Sequence, residues 1–150
     1  MMNRDAKLEE DEHDLTLRDR LAGRDAATGR TLTVHFGSSI ERLLVGRRAP
    51  GPVISPGFVD LQVNGFAGID FNTETITADA LDQALEAMLA TGVTTCLPTL
   101  ITAYPDELEA RFRALDAAVS ASRLGPAMCP GYHLEGPFLN SGAGYAGCHP

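Results

Sequence analysis

Cysteine is scarce in this 150-residue sequence, with Cys96, Cys129 and Cys148 odd in number and widely spaced. That suits reduced thiols in a cytoplasmic protein better than a secreted disulfide framework. There is no C-x-x-C pair, and Cys148 and His149 are neighbours whose side chains diverge. Both facts argue against a structural zinc centre and against a Cys-His nucleophile pair. Basic residues are equally short where nucleic acid would need them. Residues 51–150 carry 3 Arg against 11 acids, so the whole net charge of −8 arises there, and no nucleic-acid partner is expected. No apolar core opens the chain, since Met1 to Asp14 is acidic, and no signal peptide is read there. The longest uncharged run, Ala87 to Pro105, contains Gly92, Pro98 and Pro105, and no membrane span is expected from it. What is present is ordinary for a globular domain: 44% hydrophobic and 21% charged residues. That excludes disorder and collagen, and a chain of this length buries roughly 68–70% of its unfolded surface without disulfides.

The organisation changes twice along the chain. Residues 1–14 hold six acids and read as a solvated tail. From residue 15 short alternating pieces such as Thr31-Leu32-Thr33-Val34-His35-Phe36 predict antiparallel strands with turns at Gly23, Gly29 and Gly37. The Arg47 to Pro52 stretch, with two prolines and a glycine, then interrupts any ladder. Beyond it a unit repeats. Strands are predicted at Phe58–Asn64, Val93–Leu97 and Met128–Leu134, with starts about 35 residues apart. A helix from Ala78 to Thr91 places Leu81, Ala84, Leu85, Met88 and Leu89 on one face, with Thr77 as N-cap and Gly92 as terminator. A second, from Pro105 to Ser120, carries Leu108, Phe112, Leu115 and Val119. Strand and helix alternating at this spacing predicts right-handed crossovers and a parallel sheet, either doubly wound or the opening of a (β/α)-barrel.

Two stretches can carry chemistry. In the first parallel strand a period of two puts Asp60, Gln62 and Asn64 on one face and Val59, Leu61 and Val63 on the other. This is either an edge strand with its polar side in water or a barrel strand, apolar toward the helices and polar into the mouth. Barrel sites lie at strand C-termini, which favours Gln62 and Asn64 over Asp60. The third strand runs into His133-Leu134-Glu135-Gly136-Pro137-Phe138. Glu135, after an apolar run and before a glycine, suits a divalent-metal ligand or a general base, or equally a loop glutamate in a surface ion pair. His133 falls on the Glu135 face one layer deeper, a position from which to support the site from below, but it is read instead as a satisfied core histidine.

These residues also form a recognisable set. Ser55-Pro56-Gly57-Phe58-Val59-Asp60 resembles the opening of many metal-dependent amidohydrolases, and HLEGPF at His133 to Phe138 resembles the N-acetylglucosamine-6-phosphate deacetylases in particular. LQVNG at Leu61 to Gly65, LPTLIT at Leu97 to Thr102 and GYAGCHP at Gly144 to Pro150 follow the same family in order. The resemblance implies an α/β fold: residues 15–53 as part of a small β-sandwich, and residues 54–150 as the first three β/α units of a (β/α)8 TIM-type barrel, incomplete in this chain. It implies hydrolysis of the acetamide of N-acetylglucosamine 6-phosphate, in a cytoplasmic homo-oligomer that needs no membrane. Glu135 matches the family's metal-binding glutamate, for one divalent ion, zinc or similar. His149 matches the histidine that contacts substrate and helps polarise its carbonyl. Gln62 and Asn64 stand where many amidohydrolases have a His-x-His pair for a second metal, and here are expected to position water or substrate. The family also needs two further metal-binding histidines and a catalytic aspartate, whereas only His13, His35, His133 and His149 are present. The sequence is therefore read as the N-terminal portion of such an enzyme. The alternatives are a noncatalytic relic that binds a sugar phosphate or a partner chain, and a deacetylase for another N-acetyl-hexosamine phosphate.

Overall fold

The computed structural model describes residues 20–140 together with 142, 144 and 147. The anticipated acidic tail and His149 lie outside the described residues. The chain divides into two compact units between Pro56 and Gly57.

The first unit is a four-stranded sheet of β1 (Arg20–Asp25), β2 (Arg30–Phe36), β3 (Ile40–Arg48) and β4 (Val53–Ile54), in the order β3-β2-β1-β4. The β1–β2 pairing is antiparallel and closes through a turn in which Asp25 accepts from the Ala27 N–H and the Thr28 hydroxyl. Gly29 follows with φ +70°. Of the three glycines expected in turns, Gly23 is not in one; it lies within β1. A side chain there would collide with the Pro52 carbonyl and Ile54, where β4 joins β1 in parallel. The glycine thus serves a close backbone approach, the other reason a strand tolerates one.

The second unit contains β5 (Phe58–Val63), the two-residue strands β6 (Gly65–Phe66) and β7 (Ile69–Asp70), α1 (Ala78–Ala90), β8 (Val93–Ile101), α2 (Pro105–Ala121), the single turn α3 (Gly125–Met128) and β9 (His133–Glu135). β5, β8 and β9 form a parallel sheet in that order, as the alternating pattern requires. α1 starts at Thr77, whose hydroxyl accepts from the Ala80 N–H at 3.2 Å, and it stops at Gly92, φ +92°. The Gly92 carbonyl then accepts from Phe58 N–H, so the helix stop also anchors the start of β5. Leu81, Ala84, Leu85 and Met88 are buried as their spacing predicts, with Leu115 and Val119 of α2, against Cys96 and Leu100 of β8. Leu89 and Phe112 sit at the edge of their stripes and remain partly exposed. Phe112 packs edge-on against Tyr132 at 4.9 Å between centroids, and the Tyr132 hydroxyl donates to Asp116.

Two further expectations need correction. The third parallel strand does not begin at Met128. Residues 125–128 close a helical turn, and Pro130-Gly131, which lacks one N–H and is loosely constrained, delays pairing until His133. The faces of β5 are also reversed. Asp60 is in register with Cys96 and shares its helix-facing side, whereas Val59 and Leu61 are 59% and 63% exposed on the other side. The ladder loses register between Asp60 and Val63, so Val63 rejoins the core. An irregularity of this kind shifts every later side chain to the opposite face, which a strict period of two does not anticipate. Among the described residues the sheets do not close into a barrel, and no helix is long and apolar enough to cross a membrane.

Candidate active site

The C-terminal ends of β5, β8 and β9 meet in one place, held by side chains that take over where backbone pairing stops. At the end of β5 the Gln62 N–H donates to the Asp60 carboxylate at 3.1 Å, and the Val63 N–H donates to the Thr99 hydroxyl at 2.9 Å. That hydroxyl donates in turn to the Leu97 carbonyl. The chain then leaves through the β6–β7 hairpin, whose turn residues Ala67 and Gly68 both have positive φ, the geometry a two-residue hairpin turn favours. The hairpin returns at Phe71, fully buried, whose N–H donates to the Asn64 carbonyl.

Asn72 straps these ends together. Its Oδ1 accepts from the Ile101 N–H at 2.8 Å, while Nδ2 donates to the Thr99 carbonyl at 3.0 Å and to the Asn64 carbonyl at 3.4 Å. One primary amide thus ties the backbone of β8 to the residue that follows β5. Sequence reasoning missed Asn72. The available signal was a lone amide directly after an apolar residue at a strand exit.

β9 brings the carboxylate. The Glu135 carbonyl accepts from the Thr102 hydroxyl at 2.7 Å, which fixes the strand's last residue against the end of β8. Its side chain is half-buried, and Oε2 accepts a long hydrogen bond of 3.5 Å from Asn64 Nδ2. His133 lies one layer below on the same face. Its Nδ1 is 3.0 Å from the Leu61 carbonyl, and since a carbonyl only accepts, the proton is on Nδ1. His133 is thus hydrogen-bonded beneath the site, but at intermediate burial, and it is not the core histidine expected. Of the residues singled out in the sequence, Asn64 and Glu135 are brought together. Gln62 stays exposed on the irregular turn of β5, and Asp60 lies on the helix-facing side.

Gly136 sets the exit from the site. Its φ is +93°, and a Cβ there would overlap the Thr102 hydroxyl that holds Glu135. Gly136→Ala is expected to destabilise the fold by at least about 1–2 kcal/mol, the cost of a left-handed backbone for an L-residue. Gly51→Ala, where an added Cβ meets nothing within 4 Å, serves as the control. Thermal unfolding of the two variants side by side checks this; equal midpoints would refute it.

As a metal centre the arrangement is incomplete. Among the described residues no three His, Cys, Asp or Glu side chains cluster closely enough to hold an ion. Glu135 is of the right chemistry for one donor, but a catalytic zinc-class site uses three protein ligands and an open position. The described residues alone therefore do not hold one.

Parallel β/α units gather a carboxylate and an amide at their strand ends here, and comparison with known proteins relates this segment to the amidohydrolases. More particularly, the chain is homologous to the N-acetylglucosamine-6-phosphate deacetylases. It is 38% identical over 104 residues to the N-acetylglucosamine-6-phosphate deacetylase of Caenorhabditis elegans, a match that covers 67% of this chain and 24% of that enzyme. It is 38% identical over 94 residues to an N-acetylgalactosamine-6-phosphate deacetylase of a Shewanella strain, covering 63% and 22%. The crystal structure of the Pasteurella multocida N-acetylglucosamine-6-phosphate deacetylase matches with a TM-score of 0.57 and 30% identity, over 75% of this chain and 31% of that one. The chain thus spans about a quarter of the length of the curated relatives it matches. No protein-family profile matches it.

Proposed function

We propose that residues 57–150 supply the first β/α units of a (β/α)8 barrel, preceded in sequence by part of a β-sandwich, and that the barrel deacetylates N-acetylglucosamine 6-phosphate to glucosamine 6-phosphate and acetate. The observation that carries this reading is the Glu135 carboxylate beside the Asn64 amide at the C-terminal ends of β9 and β5, the two strands that flank β8 in the parallel sheet, where barrel enzymes keep their sites. In this role Glu135 contributes one anionic donor toward a divalent ion that activates water when bound. Asn64 orients the carboxylate, and Gln62 is assigned by its motif position to water or ligand. His149 is assigned by its motif alone to the substrate carbonyl. The exposed Val59 and Leu61 would then line the barrel's inner layers, which bulky side chains fill.

The reading is tested in a chimaera in which residues 57–150 replace the matching segment of the Caenorhabditis elegans relative. Acetate release from N-acetylglucosamine 6-phosphate is expected to persist in the chimaera. It is not expected from the 150-residue chain alone, whose described residues do not complete a metal site. A folded, metal-loaded chimaera without turnover would overturn it. A second substrate also has support, since the galactosamine-phosphate relative is as similar to this segment as the glucosamine-phosphate one. Both epimers belong in the same assay.

A further inference from the structure

Two thiols outside the site face each other inside the second unit. Cys96, in the middle of β8, is fully buried, and Cys129, just after the α3 turn, is 8% exposed. Their sulfurs are 3.8 Å apart, although the residues lie 33 positions apart in sequence. We propose that Cys96 and Cys129 are a redox-modifiable pair that closes to an intramolecular disulfide when the protein meets a hydroperoxide.

Three features support the pair. A disulfide needs the sulfurs at about 2.03–2.05 Å, so they must approach by less than two ångströms. The needed movement has a place to occur. Cys96 is held in a β-ladder, but Cys129 ends a four-residue helix and is followed by Pro130-Gly131, an irregular stretch that can yield. The two sulfurs also differ in character. Either thiol can donate in their contact; that contact lowers the Cys129 pKa, while the same contact and burial raise the Cys96 pKa. Cys129, the more exposed of the two, is thus also the better nucleophile.

The step balances with the peroxide as oxidant. The Cys129 thiolate attacks one peroxide oxygen, the O–O bond breaks, and the leaving oxygen takes up a proton, leaving a sulfenic acid on Cys129. The Cys96 sulfur then attacks the Cys129 sulfur, the S–O bond breaks, and hydroxide departs with the Cys96 proton as water. Two thiols are oxidised and one peroxide bond is reduced. Hydrogen peroxide is small enough for a sulfur with so little exposure.

The test treats the native 150-residue chain at low concentration with hydrogen peroxide, followed by intact mass and peptide mapping without reduction. Loss of two hydrogens and a Cys96–Cys129 linked peptide pair are expected, in preference to either pairing with Cys148. Cys148→Ser is expected to keep the cross-link, and prior unfolding in urea to abolish the preference. A linkage to Cys148, over-oxidation of Cys129 without a cross-link, or no reaction in the Cys148→Ser chain would each overturn the proposal. The mapping needs no variant at either paired cysteine, so a failure of Cys96→Ala to fold does not affect it.

Discussion

Replacing Glu135 by Gln in the chimaeric deacetylase is expected to strip the bound divalent ion and take turnover below detection. The substitution keeps the side chain's shape and its ability to accept from Asn64 Nδ2, so the end of β9 should stay where it is. What is lost is the charge. A carboxylate binds a zinc-class ion at about 2.0–2.2 Å, and a neutral amide is a poor substitute. Asn64→Ala separates the two roles. It removes the amide but no anionic donor, so metal content should stay near one ion per chain while the rate falls through a less well-oriented carboxylate or water. Metal analysis of both purified variants, alongside acetate release, decides the matter. Full metal occupancy in Glu135→Gln, or two tightly bound ions in the parent, would show that Glu135 has another role.

The sequence disclosed the parts of this site that obey local rules. Thr77 and Gly92 bound α1 because a hydroxyl cap and a left-handed glycine stop are decided within a few residues. The Leu81, Leu85 and Met88 stripe is legible because burial follows helical period directly. Glu135 is legible because a carboxylate between an apolar run and a glycine is unusual. Asn72 was not, since its role consists of three hydrogen bonds to backbone groups of two other segments. The orientation of Val59 and Leu61 was missed for a related reason. It depends on a register shift that involves the Asp60 carboxylate and the Thr99 hydroxyl, a long-range event that no period in the strand itself records.

That reversal leads to the second large effect. The 150-residue chain is expected to self-associate, because the side of β5 turned away from the helices carries exposed Val59 and Leu61, and among the described residues β5 is an outer strand of the parallel sheet. An exposed apolar face on an outer strand is a template for another copy. Light scattering and sedimentation should therefore report species heavier than 15.9 kDa that grow with concentration. Val59→Lys with Leu61→Lys should shift the chain toward monomer, since charges on an exposed strand face oppose stacking. In the chimaera the same pair should act in the opposite sense. If these side chains fill the inner layers of a closed barrel, burying two unpaired ammonium groups there costs several kcal/mol, and the double variant should fail to fold. A monomeric parent chain, or a chimaera indifferent to both lysines, would mean that this face is not the interior of a barrel.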